Sequence, residues 1–225
     1  MYNKLLSLNQ VSRTVNSGGN KVTLLDQIDL QVKEGEFISL MGPSGSGKST
    51  LLNCIGMLDN FTGGGYTFLG EPVHSMKEKN RTKLYKEYIG FVFQAYHLID
   101  ELTVLENIET PLLYKSIKSS ERKALVADML DKFNIVGKKD LFPPQLSGGQ
   151  QQLVGIARAL ISKPKLILAD EPTGNLNSKQ GIEIMELFKE LNQEGVTIIQ
   201  ATHSESNAAY GSRIIHLLDG KITSA

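Results

Sequence analysis

Gly42-Pro43-Ser44-Gly45-Ser46-Gly47-Lys48-Ser49 decides the fold. The octapeptide fits G-x-x-x-x-G-K-[ST], the phosphate-binding P-loop pattern. Phe37, Ile38, Leu40 and Met41 precede it as an apolar run, which predicts a buried strand. Residues 50–58, opening with Thr50-Leu51-Leu52, predict a helix. In that strand–loop–helix context the glycines let the backbone fold around an anion. The N–H groups of the loop and of the helix N-terminus then face the phosphates. Lys48 is placed to reach the β- and γ-phosphates of a nucleotide, and the Ser49 hydroxyl to ligate Mg²⁺.

Upstream of the loop, residues 4–11 have a loose strand pattern and Ser17-Gly18-Gly19-Asn20 a turn. Ile28, Leu30 and Val32 alternate with polar residues, as in a half-buried strand. Downstream, Gly63-Gly64-Gly65 predicts a turn before a short strand at 66–69, and residues 89–93 a buried strand ending at Gln94. The character then changes. Ser119-Ser120 is expected to cap a helix with Leu125, Val126, Met129, Leu130 and Phe133 on one face, broken by Pro143-Pro144. A second helix carries Leu153, Val154, Ile156, Ala157, Leu160 and Ile161. Residues of about 95–160 are therefore expected to form a helical subdomain inserted into one domain over 1–225. Beyond it come strands at 166–169, 196–199 and 214–218, the last followed by an Asp219-Gly220 turn, with a helix around Ile184, Met185, Phe188 and Leu191. Alternating strands and helices predict an α/β fold with a mainly parallel sheet, behind a β-rich N-terminal part.

Composition narrows the function. Lys plus Arg number 24 and Asp plus Glu 24, a balance that does not favour a nucleic-acid partner. Cys54 is the one cysteine, so no intrachain disulfide forms; its place in the helix after the P-loop predicts a small core residue. No apolar run approaches the ~20 residues that span a bilayer, and residues 1–7 lack an apolar signal region. The expected place is the cytoplasm, with any membrane contact made through a partner.

Two further stretches carry chemistry. The strand at 166–169 ends in Asp170-Glu171, two carboxylates where α/β sheets place ligands. Asp170 is expected to hold Mg²⁺, directly or through water, and Glu171 to orient and deprotonate an attacking water. Leu146-Ser147-Gly148-Gly149-Gln150 sets Ser and Gly backbone at another helix N-terminus, a second anion site. A chance match to that pentapeptide is expected in fewer than about one chain in a thousand.

On these motifs the chain resembles the ATP-binding cassette (ABC) ATPase family over essentially its whole length. The resemblance implies a P-loop NTPase core with an N-terminal antiparallel β part and the inserted helical subdomain. It implies ATP and Mg²⁺ as ligands, the ATP contacted by the loop from Gly42 to Ser49 and by Thr50. In the family two subunits associate head to tail, and each ATP lies between the P-loop of one and the signature loop of the other. Ser147, Gly148, Gly149 and Gln150 would then serve the nucleotide held by the Lys48 of a second copy. Gln94 matches the glutamine that touches Mg²⁺ and the water and senses the membrane partner. His203 matches the switch histidine at the γ-phosphate. The segment 174–178 occupies the loop that crosses the dimer interface.

Four positions depart from the family pattern. Val15 stands where an aromatic ring stacks on adenine, and Tyr2 and Tyr210 are poor substitutes by position. Asn177 replaces an Asp, Leu153 an Arg, and Ser204 the Asp after the histidine. The segments 41–44 and 90–94 look most like the lipoprotein-release, macrolide-export and antimicrobial-peptide-export ATPases. The implied function is an ATPase on the cytoplasmic face of the membrane, driving a separate permease. The alternatives are a regulatory scaffold that binds ATP with little turnover, and a soluble non-transport ABC ATPase. Long coiled-coil or zinc insertions, which the second usually needs, are absent from this sequence.

Overall fold

The computed structural model describes residues 3–224, so Tyr2 lies outside it. β1 (Lys4–Ser17) and β2 (Asn20–Lys33) form a long antiparallel hairpin, paired from Ser17 opposite Asn20 to Lys4 opposite Lys33, with register shifts between Lys4 and Leu6 and between Leu8 and Thr14. Both strands run past the alternating apolar segments read from sequence. Their distal ends carry few apolar residues, Val15 on β1 and Val22 and Leu24 on β2, and the cross-strand ladder extends them as strand.

β3 (Phe37–Met41) leads through the P-loop into α1 (Lys48–Ile55). β4 (Gly63–Phe68) and β5 (Glu71–Pro72) complete a sheet of order β2-β1-β4-β5. Gly63-Gly64-Gly65 is therefore strand rather than turn. The register shifts here between Asn9 and Ser12 of β1, and a Cβ on Gly64 would lie 2.4 Å from the Gln10 carbonyl oxygen. The glycines let β4 close against that irregular stretch of β1.

α2 (Glu78–Tyr88) precedes β6 (Ile89–Phe93) and was not expected. None of its residues is buried, so it lacks the apolar stripe that marks a helix in sequence. Between β6 and β7 the chain is mainly helical: α3 (Val104–Glu109), α4 (Ser119–Lys132) and α5 (Gly148–Leu160). Lys118, not Ser119, is the N-cap of α4, and no side chain caps it. The helix stops long before Pro143-Pro144, at Asn134 in left-handed backbone (φ 54°), which bends the chain off the axis. The two prolines sit instead in a short 3₁₀ turn just ahead of Ser147.

β7 (Leu166–Asp170), α6 (Ser178–Gln193), β8 (Thr197–Thr202), α7 (Glu205–Ala208) and β9 (Arg213–Leu218) follow. Asp219-Gly220, both at positive φ, turns β9 into β10 (Lys221–Ser224), a further strand absent from the sequence reading. The second sheet has the order β10-β9-β3-β8-β7-β6, parallel except for β10.

Successive residues of its central strands enter two different cores. Ile38, Leu40, Leu166, Leu168, Ile199 and Ala201 pack towards α1 and the antiparallel sheet. Phe37, Ile167, Ala169 and Ile198 pack towards α3, α4, α5 and α6. Burial on both faces is why these strands read as unbroken apolar runs. Truncating one such leucine or isoleucine to alanine costs about 2–5 kcal/mol.

Candidate nucleotide site

The register of the second sheet builds one rim. Met41 pairs with Thr202, Ala201 with Asp170, and Asp170 with Phe93. The C-terminal ends of β3, β8, β7 and β6 are therefore level. The next residue on each is Gly42, His203, Glu171 and Gln94, so four segments distant in sequence leave the sheet side by side.

Gly42 opens the P-loop at φ 155°, where a Cβ would lie 2.1 Å from the Leu217 carbonyl oxygen. Only glycine passes that point. The loop is tied by Gly220 N–H donating to the Ser46 carbonyl at 3.0 Å. The Lys48 ammonium donates to the carbonyls of Gly42 (2.8 Å) and Pro43 (2.9 Å), which folds the side chain back across the loop. Gly47, at φ 104°, N-caps α1, and no side chain bonds the first N–H groups of that helix. They remain available to a ligand's anionic oxygens.

A cavity of about 970 Å³ lies above the rim. It gathers Ser44, Gly45, Gly47, Lys48, Ser49, Thr50, Gln94, Asp170, Glu171 and His203, all named from sequence. Gly42, Pro43 and Ser46 shape the loop without lining the cavity. Sequence reasoning missed Val22, Thr23 and Leu24 of β2 and the Asp219-Gly220 turn, which close one side. Asp-Gly was legible as a turn. That it meets β2, with Asp26 N–H donating to the Gly220 carbonyl at 2.9 Å, was not.

Val15 does not line the cavity. It stands directly opposite Val22 in the β1–β2 ladder, and Val22 forms the wall. β2 is the edge strand of its sheet, so β1 lies one strand further out. The two valines share a face of the hairpin. Tyr210 is elsewhere, its hydroxyl bonded to Glu186 Oε1 at 2.9 Å.

Glu171 adopts left-handed backbone, φ 46°, with its N–H donating to the Ala201 carbonyl at 3.0 Å. Such strain in a bulky residue persists only where the surroundings hold it. His203 Nδ1 lies 2.9 Å from Glu171 Oε1, the imidazole largely exposed and the carboxylate largely covered. An ionised carboxylate only accepts, so Nδ1 carries the proton in this contact. Gln94 and Asn175 bond reciprocally: Gln94 Nε2 donates to Asn175 Oδ1 (3.2 Å), and Asn175 Nδ2 to the Gln94 carbonyl (2.9 Å). Gln152 of α5, fully buried, donates to the Pro172 carbonyl at 2.6 Å and anchors the turn beside Glu171.

The second anion site stands apart. Ser147, Gly148, Gly149 and Gln150 line no part of this cavity. Ser147 is exposed and caps α5: its Oγ accepts from Gln150 N–H (3.4 Å), and Gln150 Oε1 accepts from Ser147 N–H (3.0 Å). Asn177 N-caps α6 by accepting from Gln180 N–H at 3.0 Å, a task Asp and Asn perform about equally. Ser204 likewise caps α7, and Leu153 packs against the helical core. Cys54 is buried, which pushes its thiol up to about 12 and leaves it inert at neutral pH.

Mg²⁺ fits the donor set. Ser49, Asp170 and Gln94 offer oxygen ligands around one cavity, and Mg²⁺ characteristically takes one or two protein ligands beside water and phosphate. Among the described residues no group of three or more His, Cys, Asp or Glu could form an all-protein metal cage.

Residues 25–174 match the model of a protein family described as ABC transporter. The chain belongs to the ABC transporter family. It is an ABC ATPase domain, which binds and hydrolyses ATP. It is 44% identical over 218 residues to the ABC transporter ATP-binding protein YvrO of Bacillus subtilis, covering 97% of this chain and 95% of that one. It is 45% identical to the macrolide export ATP-binding/permease protein MacB of Wolinella succinogenes, covering 99% of this chain but only 35% of that longer protein. Among solved structures it resembles the dimeric, post-hydrolysis state of the cassette MJ0796 bound to ADP and Pi. The TM-score is 0.91 at 43% identity, over 98% of this chain and 97% of that one.

Proposed function

We propose that the chain is a single nucleotide-binding domain, with a helical subdomain at about 95–160, that powers a separate membrane permease from the cytoplasmic face. One observation carries this reading. The cavity holds the P-loop, Asp170, Glu171, Gln94 and His203 together, yet leaves the α5 N-terminus outside it, with its cap Ser147 exposed. A site of that kind needs a second copy to cover the far side of its nucleotide. No helix among the described residues is long and apolar enough to cross a membrane, so work on a membrane requires a partner.

In this reading the α1 N-terminus and Lys48 take the β- and γ-phosphates. Ser147 and Gly149 of the second copy approach the γ-phosphate from the other side. Glu171 orients the attacking water and takes its proton, a role worth about 10²–10⁴ in rate. His203, held through Nδ1 by that carboxylate, lines the cavity on the side where the γ-phosphate is proposed to lie. Ser49, Asp170 and Gln94 would hold Mg²⁺, which would supply positive charge beside the phosphates when bound. Closure of the two copies on ATP moves the permease, and hydrolysis reopens them.

The macrolide export ATP-binding/permease relatives support export of an antibiotic-like molecule, and the resemblance of segments 41–44 and 90–94 adds a peptide or lipoprotein as the other substrate classes. In those longer proteins this chain matches about a third of the length, and here a separate permease is proposed.

The test is a mixed dimer. Lys48→Ala and Ser147→Arg should each fail to form an ATP-driven dimer alone. Mixed, they should form one with a single intact composite site, read by gel filtration with a non-hydrolysable ATP analogue. Unimpaired dimerisation of pure Ser147→Arg sinks the shared site.

A further inference from the structure

α5 and the segment behind Gln94 meet at one side chain that the cavity does not include. Tyr96 and His97 both hold left-handed backbone, at φ 59° and 48°. A bulky residue leaves that region unless its surroundings hold it there. Arg158, near the C-terminal end of α5, supplies the hold. Its guanidinium donates to the Tyr96 carbonyl at 2.9 Å and to the His97 carbonyl at 2.6 Å. The Tyr96 side chain runs to the other end of the same helix, where a Cβ on Gly148 would lie 2.7 Å from the phenolic oxygen. The His97 ring packs on Phe93 with centroids 4.5 Å apart. The segment thus lies along α5 from the residue after Ser147 to Arg158, a span of about 15 Å on a rigid helix.

We propose that Arg158 is a positioning residue for ATP hydrolysis: it fixes the turn at Tyr96 and His97 onto α5, and so sets Gln94 in the cavity in step with Ser147. This rests on reading the cavity as the ATP site and Gln94 as a working member of it. Displacement of α5 when a second copy engages Ser147 then shifts the backbone two residues from Gln94. Asn175 holds the amide from the other side, so the glutamine stands between the two anchors.

Arg158→Lys keeps the charge and loses the fork that spans two carbonyls. Hydrogen exchange of residues 95–98 reads the clamp itself and does not depend on the ATP-site reading. It should quicken in the variant, and unchanged exchange overturns the proposal. Turnover reads its use. The kcat should fall by at least about tenfold, as expected for a misplaced reacting group, while the affinity of the single chain for ATP stays within about twofold. In a Gln94→Ala background the same substitution should cost less than about twofold more, because both act through one group. An equal loss in both backgrounds, or a matching loss of ATP affinity, makes Arg158 a general structural residue and overturns the proposal. Should Arg158→Lys fail to fold, Tyr96→Ala, which takes the phenol off Gly148 and leaves both carbonyls, runs the same cycle with the same criterion. Absence of ATP binding by the parent chain is the separate result that would sink the ATP-site reading.

Discussion

α1 and α5 both begin with glycine-rich backbone that suits an anion, yet their first turns are finished differently. At α1 the N-cap is Gly47, and no side chain bonds the N–H groups behind it. At α5 the N-cap is Ser147, and a reciprocal capping box with Gln150 satisfies two donors within the chain. The first helix is left to a ligand, and the strands beside it bring Asp170, Glu171 and His203 to the same cavity. The second is self-satisfied, with its cap Ser147 exposed. A phosphate from a second copy must displace or supplement the Ser147–Gln150 cap, worth about 1 kcal/mol. In the proposed function one helix end is complete as a binding element in a single chain, and the other becomes one only across an interface.

The largest effect separates chemistry from both helix ends. Glu171→Gln should lower turnover by about 10²–10⁴ while sparing ATP affinity. With hydrolysis blocked, an ATP-bound dimer should accumulate in gel filtration. A variant that turns over near the parent rate removes Glu171 as the base.

Next comes the contrast itself. Lys48→Ala removes a charge-assisted contact worth about 1.5–3 kcal/mol, so single-chain ATP affinity should fall roughly 10–150-fold by equilibrium dialysis. Ser147→Arg should leave that affinity within about twofold, because Ser147 lines no part of the cavity. Equal damage from both would place the two helix ends in one site and erase the distinction drawn above.

Ser147→Ala sharpens the comparison further. Loss of the cap should lower stability by about 1 kcal/mol, a drop of roughly 2–4 °C in melting temperature for a chain of this size. The difference should shrink when ATP-driven dimers form, if phosphate takes over the freed N–H groups. A difference that persists unchanged means the phosphate does not reach them.

The smallest effect concerns the adenine side. A tyrosine at residue 15, on the same hairpin face as Val22, extends the cavity wall by a ring. Stacking typically contributes about 1–3 kcal/mol, and Val22 already offers apolar contact. Val15→Tyr should therefore lower the KM for ATP several-fold, roughly fivefold per 1 kcal/mol, with little change in kcat. Steady-state kinetics decides this. An unchanged KM means that Val22 and its neighbours already cover the base.

Much of this site was legible before any coordinates, because its elements are local. The P-loop, Asp170-Glu171 and Ser147–Gln150 are short runs whose residue types the chemistry dictates. Their strands are buried on both faces and so stand out as apolar runs. The surface helix α2 and the strand β10 carried no such signal. One has no buried residue, and the other exists only because Asp219-Gly220 folds it back on β9. The helix stop at Asn134 was misassigned to Pro143-Pro144 for a related reason: proline is a visible breaker, whereas a left-handed asparagine is not.

By itself the sequence singled out the residues proposed to meet phosphate, metal and water, since each role needs a particular functional group at a particular spacing from backbone of a particular shape. Tertiary structure alone decided how those groups meet. Level register across β3, β8, β7 and β6 brings residues 42, 203, 171 and 94 to one rim. The edge position of β2 puts Val22, not Val15, on the cavity wall. Arg158 reaches two carbonyls some sixty residues earlier in the chain. None of these follows from local pattern, because hydrogen-bond register and sheet order are settled by the packing of both faces at once.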